Sequence, residues 1–148
     1  MSKKITGYDV GALMYCPANM HGAIADTLQR EQFARPFSLA FCLEDTVREA
    51  HVEAAERALY HTLVPITAAL QAGRFYLPLI FIRLRSPQQL HKLAGLYGRF
   101  SPVLTGFILP KFFLDNCGAY IKAIQDIKRQ TGPDYLYMPI FESAAMID

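Results

Sequence analysis

Short runs of almost unbroken apolar residues alternate along this chain with longer stretches in which apolar residues return every three or four positions. The short runs occupy residues 12–19, 38–45, 78–83, 106–111 and 136–142, and each closes on a polar or charged residue. Continuous apolar character over five or six residues marks a strand covered on both faces, as in a parallel sheet packed between layers. The runs 38–43, 77–84 and 104–109 are the clearest cases.

The stretches between them read as helices. Residues 22–33 carry Ile24 and Leu28 four apart, one face of a helix. Thr46 followed by Glu49 predicts a capping box, and residues 47–71 a long alanine-rich helix that Pro65 should kink or divide and Gly73 should end. Ser86-Pro87-Gln88-Gln89 combines an N-cap, a first-turn proline and a capping-box glutamine, with Leu90, Leu93, Leu96 and Tyr97 as the buried stripe. Asp115 or Asn116 is the expected cap of a fourth helix, in which Tyr120, Ile121, Ile124 and Ile127 keep helical spacing until Gly132-Pro133. The order is strand then helix four times, closed by a fifth strand. That order predicts an α/β fold with a parallel sheet and right-handed crossovers.

In parallel folds of this kind polar groups collect at the carboxyl ends of the strands, where the backbone leaves the sheet and side chains can converge on a ligand. Asn19, Glu44, Asp45, Arg83, Lys111 and Glu142 stand at such ends and predict an active-site rim.

Composition narrows the field. The 148 residues are 52% apolar and 19% charged, a balance that supports one compact core and argues against disorder. A net charge of +2, with basic residues scattered among acidic ones, gives no footing for nucleic acid or an anionic membrane. Cys16, Cys42 and Cys117 lack paired spacing, which disfavours a zinc knuckle or a disulfide framework and suits a reducing compartment. No apolar run has the length of a membrane span, and residues 1–10 carry no signal-type apolar core. The expected location is cytoplasmic. Glycine-rich phosphate loops are absent from the sequence, which disfavours a kinase or a dinucleotide dehydrogenase.

The motifs Tyr15-Cys16-Pro17-Ala18-Asn19, Leu43-Glu44-Asp45-Thr46-Val47, Phe81-Ile82-Arg83-Leu84, Ile108-Leu109-Pro110-Lys111 and Ile140-Phe141-Glu142-Ser143-Ala144, in this order and spacing, resemble the citrate lyase beta subunit and HpcH/HpaI aldolase family of carbon–carbon lyases. The likeness spans residues 12–144. It implies a (β/α)8 TIM barrel of which this chain holds about the first five strands and four helices, as a single domain over residues 1–148. An eight-stranded barrel takes about 200 residues or more, so this sequence is expected to be the front of a longer barrel.

The resemblance also implies a chemistry. Family members cleave a small keto acid or its acyl-coenzyme A ester with the help of magnesium. By position, Glu142 matches the metal-binding glutamate, with a second carboxylate ligand expected beyond this sequence. Arg83 matches the arginine that holds the substrate carboxylate and polarises its carbonyl. Glu44 and Asp45 match the acidic pair after the second strand, Lys111 a lysine after the fourth, and Asn19 a polar position in the first loop. Such residues suit retro-aldol cleavage, in which a divalent cation and an arginine stabilise the developing enolate. A homo-oligomer is the expected assembly.

Departures from the family pattern stand at Cys42, where an aspartate is frequent, at Arg85, where a small polar residue is usual, and at Met146, in the place of a glycine. They are compatible with the divergent lyase-like barrels of tellurium-resistance and stress operons, and with a catalytically weakened relative that binds a carboxylated metabolite or a partner protein. Asp148 lies too near Glu142 in sequence to serve as the second ligand.

Each candidate has a plainer role. Glu44 and Asp45 can serve a helix N-terminus, Arg83 can pair with them across the barrel mouth, and Lys111 can be returning to solvent. A Schiff base on Lys111 requires a desolvated amine, for which the sequence gives no sign. His21, His51, His61 and His91 suit surface or packing roles. Cys16 and Cys42 could approach one another near the strand ends, more as small buried hydrophobes than as catalytic thiols. Tyr15, Phe41, Phe81, Phe107, Tyr137 and Phe141 are expected in the core.

Overall fold

Parallel strands in the order of the sequence are what short strand–helix repeats produce, since each right-handed crossover returns the chain beside the strand it left. The computed structural model describes residues 5–19, 23–33, 36–73, 75–130 and 133–144. Among these, β1 (Ala12–Pro17), β2 (Phe37–Cys42), β3 (Leu79–Arg83), β4 (Leu104–Leu109) and β5 (Leu136–Pro139) form one sheet in the order β1-β2-β3-β4-β5, every pairing parallel. The helices α1 (Ile24–Gln29), α2 (Val52–Ala72), α3 (Pro87–Leu96) and α4 (Cys117–Arg129) fill the crossovers. This is the strand–helix succession of a TIM barrel.

The sheet separates two apolar clusters. Phe37, Leu39, Phe41, Ile80, Ile82, Phe107 and Leu109 meet the helices through Leu59, Leu63, Ile66, Leu90, Leu93, Tyr120 and Ile127. On the opposite face Ala40, Phe81 and Ile108 are buried beside the half-buried Leu13, Leu79, Leu136, Met138 and Ile140. Alternation along the strands makes that split. It carries Arg83, two residues beyond Phe81, onto the second face at the carboxyl edge.

Several local expectations give way to tertiary contacts. The first helix spans only Ile24–Gln29, because Glu31 takes a left-handed conformation (φ 50°) and its carboxylate accepts the Tyr76 amide at 2.8 Å. The second begins at Val52, five residues later than expected. Thr46 donates its hydroxyl to the Cys42 carbonyl (3.2 Å) and Glu49 pairs with Arg85 (2.7 Å), so the expected capping box is not made. Glu44 and Asp45 consequently cap no helix. The helix then runs unbroken through Pro65 to Ala72. Ser86 does cap α3, accepting the Gln89 amide at 3.1 Å, while the Gln89 side chain takes the Arg85 amide and the Glu56 carboxylate instead of completing a box. Leu96 and Ile121, expected in the buried stripes, are exposed; Tyr97, Tyr120, Ala123 and Ile127 occupy those faces. Phe41, Phe81 and Phe107 are core, whereas Tyr15 and Phe141 are exposed. His21, Met146, Asp148, and the boundary glycines Gly22 and Gly132 lie outside the described residues.

Gly106 fixes the spacing of β4 and β5. A Cβ at this position would stand 1.9 Å from the Leu136 carbonyl oxygen and 2.7 Å from its carbon, both backbone atoms that cannot swing away. Gly106→Ala is expected to push β5 outward and cost about 1–3 kcal/mol of stability, as overpacking does, measured by urea denaturation.

Candidate active site

The carboxyl ends of β2, β3 and β4 place opposite charges together because the ladder register is tight. Cys42 stands beside Arg83 and Arg83 beside Ile108, so the residues just past each strand, Glu44 and Lys111, flank Arg83. The Leu43 amide continues the ladder by donating to the Arg83 carbonyl at 2.9 Å. Glu44 is thereby aimed inward and its side chain is only 7% exposed.

Arg83 Nη2 lies 2.6 Å from Glu44 Oε2, 2.9 Å from Asp45 Oδ2 and 4.0 Å from Glu142 Oε1. Lys111 Nζ lies 2.7 Å from Glu44 Oε1 and 3.7 Å from Asp45 Oδ1. Three carboxylates thus meet two cations, and the cluster carries one negative charge in excess. Among the described residues, Glu44 Oε2, which meets Arg83 Nη2 as an ion pair only, and Arg83 Nε are buried without hydrogen-bond partners. Buried polar atoms are ordinarily satisfied, so this unmet demand sits at the centre of the cluster. The Arg83 guanidinium also lies over the Tyr15 ring, 5.7 Å from its centroid, a cation–π contact.

Lys111 is held in a left-handed backbone conformation (φ 49°) uncommon outside glycine and asparagine. Asn116 keeps it there, donating Nδ2 to the Lys111 carbonyl at 2.8 Å while its Oδ1 accepts the Phe113 amide at 3.0 Å. The Phe112 amide donates to the Ile140 carbonyl at 3.1 Å, tying this loop to the end of β5. The Phe112 and Phe141 rings meet edge to face at 5.8 Å beside Glu142.

The charges tune one another. Burial works to lower the Arg83 pKa, and the negative field of Glu44, aided by Cys42, Asp45 and Tyr15, overrides it in the upward direction. Lys111 is also raised, first by its hydrogen bond to Glu44 and then by that carboxylate's charge, with Asp45 and Glu142 adding to it. A protonated amine is no nucleophile, which argues against Schiff-base chemistry at Lys111. Burial pushes the Cys16 thiol upward, away from the thiolate a catalytic cysteine needs. Cys16 and Cys42 alternate onto opposite faces of the sheet, so the approach that their strand-end positions allowed is not made.

The fold therefore brings Glu44, Asp45, Arg83, Lys111 and Glu142 to one edge, while Asn19 stands in the exposed turn after β1. His51, His61 and His91 are exposed on the helical side. Tyr15 and Asn116 belong to the site without having been singled out for it. The parity of Tyr15 with Leu13 was the available signal for the first, and an asparagine five residues after Lys111 for the second.

For a metal, the donors are carboxylate oxygens, the kind magnesium prefers. No group of three or more His, Cys, Asp or Glu among the described residues is arranged to hold an ion. Glu44 and Asp45 are engaged by the two cations, whereas Glu142 reaches Arg83 only at 4.0 Å and its side chain is one-third exposed. One carboxylate with water and substrate completing the shell is a common magnesium arrangement, and Glu142 fits that part.

A family model described as C-C_Bond_Lyase of the TIM-Barrel fold matches residues 4–148. No curated protein and no solved structure matches the chain. Among the described residues no helix is long and apolar enough to cross a membrane.

Lys111 is expected to titrate above the ordinary lysine range, with its ion pair intact through neutral pH and lost only as pH rises through that elevated value. Glu44→Gln leaves an oxygen that can still accept a hydrogen bond but removes the negative charge, so it should bring the titration part of the way back down, a shift visible by NMR of the side-chain amine.

Proposed function

The chain belongs to the carbon–carbon bond lyases of the TIM-barrel fold, and from that premise we propose that it acts by magnesium-dependent retro-aldol or Claisen-type cleavage on a small keto acid or its acyl-coenzyme A ester. The observation that carries this reading is the convergence of Arg83 with Glu44, Asp45 and Lys111 at the carboxyl edge of the sheet, with Glu142 4.0 Å from the same guanidinium. The narrower likeness to citrate lyase beta subunits rests on the five strand-end motifs.

Arg83 binds the substrate carboxylate and meets the oxygen on which charge develops, where a preorganised cation acts most strongly in a water-poor site. It touches the acidic residues through Nη2, which leaves Nη1 for the substrate. Glu44, held between Arg83 and Lys111, fixes both cations. Asp45, exposed at the mouth, takes the proton from the substrate hydroxyl as the carbon–carbon bond breaks and its electron pair passes into the enolate. Lys111 offers a second positive charge to the substrate, and Asn19 a polar contact at the rim. Glu142 is the residue that would hold magnesium, which when bound supplies further positive charge at the enolate oxygen.

A second reading has its own support. Both cations already have carboxylate partners within the chain, as in a barrel that binds a carboxylated metabolite or a partner protein without turning it over.

Glu142→Gln is expected to abolish magnesium-dependent binding of a small keto acid in calorimetry while leaving the far-UV circular dichroism unchanged; undiminished magnesium affinity would remove the metal assignment. Arg83→Lys should lower kcat about 10²–10³-fold, the usual loss when one donor to a developing oxyanion is removed. Keto acid binding without any proton exchange or cleavage would favour the second reading.

A further inference from the structure

Arg85, two residues beyond Arg83, has a defined position in the structure. Strand β3 ends at Arg83, and the buried Leu84 donates its amide to the Ile108 carbonyl at 3.1 Å. The Arg85 amide is then taken by Gln89 Oε1 at 2.8 Å, and Gln89 Nε2 binds Glu56 Oε1 at 2.8 Å. The other Glu56 oxygen meets Lys92 at 2.6 Å. The base of Arg85 is thus moored to β4, α3 and α2 together.

From this anchor the guanidinium crosses to the loop after β2. Nη1 donates to the carbonyls of Leu43 (3.1 Å), Glu44 (2.9 Å) and Val47 (2.9 Å), and Nη2 to Glu49 Oε2 (2.7 Å). The same loop closes on itself where the Val47 amide donates to the Glu44 carbonyl at 3.1 Å. Three carbonyl dipoles aimed at one point repel one another unless a cationic donor stands there. A guanidinium supplies several donors in one rigid plane, which an ammonium on a flexible stem does not. The loop so gathered carries Glu44 and Asp45.

We propose that Arg85 is a positioning residue for the site: by gathering the carbonyls of Leu43, Glu44 and Val47 it sets the Glu44 carboxylate between Arg83 and Lys111. The inference rests on the reading of Glu44 and Asp45 as catalytic residues. It assigns Arg85 no contact with substrate. The Glu49 pair, with that carboxylate 85% exposed, serves only to steady the guanidinium and contributes little by itself.

The test compares Arg85→Met and Arg85→Lys in the full chain, alone and with Glu44→Gln. Arg85→Met is expected to speed amide exchange at Val47 and its neighbours in residues 43–49 while the strands keep their protection. With magnesium and a small keto acid, kcat should fall about 10–100-fold, the usual loss for a residue that orients a ligating or catalytic group. Arg85→Lys should recover part of it. In the Glu44→Gln background Arg85→Met should cost almost nothing more, because the two changes act through one carboxylate. Additive losses in the double variant, or a lowered melting temperature with kcat and Val47 exchange unchanged, overturn the proposal. Should the wild-type chain cleave no keto acid, the lyase reading fails and exchange decides: a rise confined to residues 43–49 sustains the loop-setting role, and unchanged exchange ends it. Should Arg85→Met not fold, Arg85→Lys carries the same readouts.

Discussion

The Glu44 carboxylate, buried at the end of β2 between Arg83 and Lys111, is the constraint around which the carboxyl edge of the sheet is organised. Taking an ion out of water costs several kcal/mol in a real protein and is offset only by close opposite charge and good geometry. Glu44 has two cations at 2.6 and 2.7 Å. They come from different strand ends, so their placement depends on the ladder register. Shift β3 by one residue and Arg83 turns to the helical side.

Much of the surrounding backbone serves that placement. The loop after β2 folds into a turn instead of entering helix α2 at once, which is why Thr46 serves the Cys42 carbonyl and Glu49 meets Arg85. The loop after β4 holds Lys111 in a left-handed conformation secured by Asn116. Strain of this kind persists only where neighbours over-determine it, and it gathers at functional sites. The absence of a side chain at Gly106 lets β5 approach β4 closely, and the amide of Phe112 bonds to Ile140, two residues before Glu142.

Part of this demand is left unmet. Among the described residues Glu44 Oε2 and Arg83 Nε are buried without hydrogen-bond partners, and the cluster keeps one negative charge beyond its two cations. In a setting of reduced dielectric such a group attracts a cation or polar ligand more strongly than it would on an open surface. The coarse assignment to carbon–carbon lyases and the arrangement of Arg83, Glu44 and Glu142 are mutually consistent. The neighbouring Tyr15 ring covers the guanidinium on the open side of β1.

The alternation of unbroken apolar runs with helical repeats determined the parallel strand–helix order, because burial on two faces admits no other pattern for so short a run. The strand-end positions of Glu44, Asp45, Arg83, Lys111 and Glu142 were equally legible, since strands this short leave little freedom in where they stop. Ser86 was readable as a cap because a cap is a contact within one turn. The start of α2 and the exposure of Leu96 and Ile121 were decided by residues far away in sequence. Arg85 is the sharpest case. In sequence it is one more cation after a strand, and only the register of β2 against β3, with the mooring of its amide on Gln89, brings its guanidinium to three carbonyls some forty residues earlier. Periodicity reports which face a residue buries, whereas the partner on that face is set by how separate elements come to lie side by side.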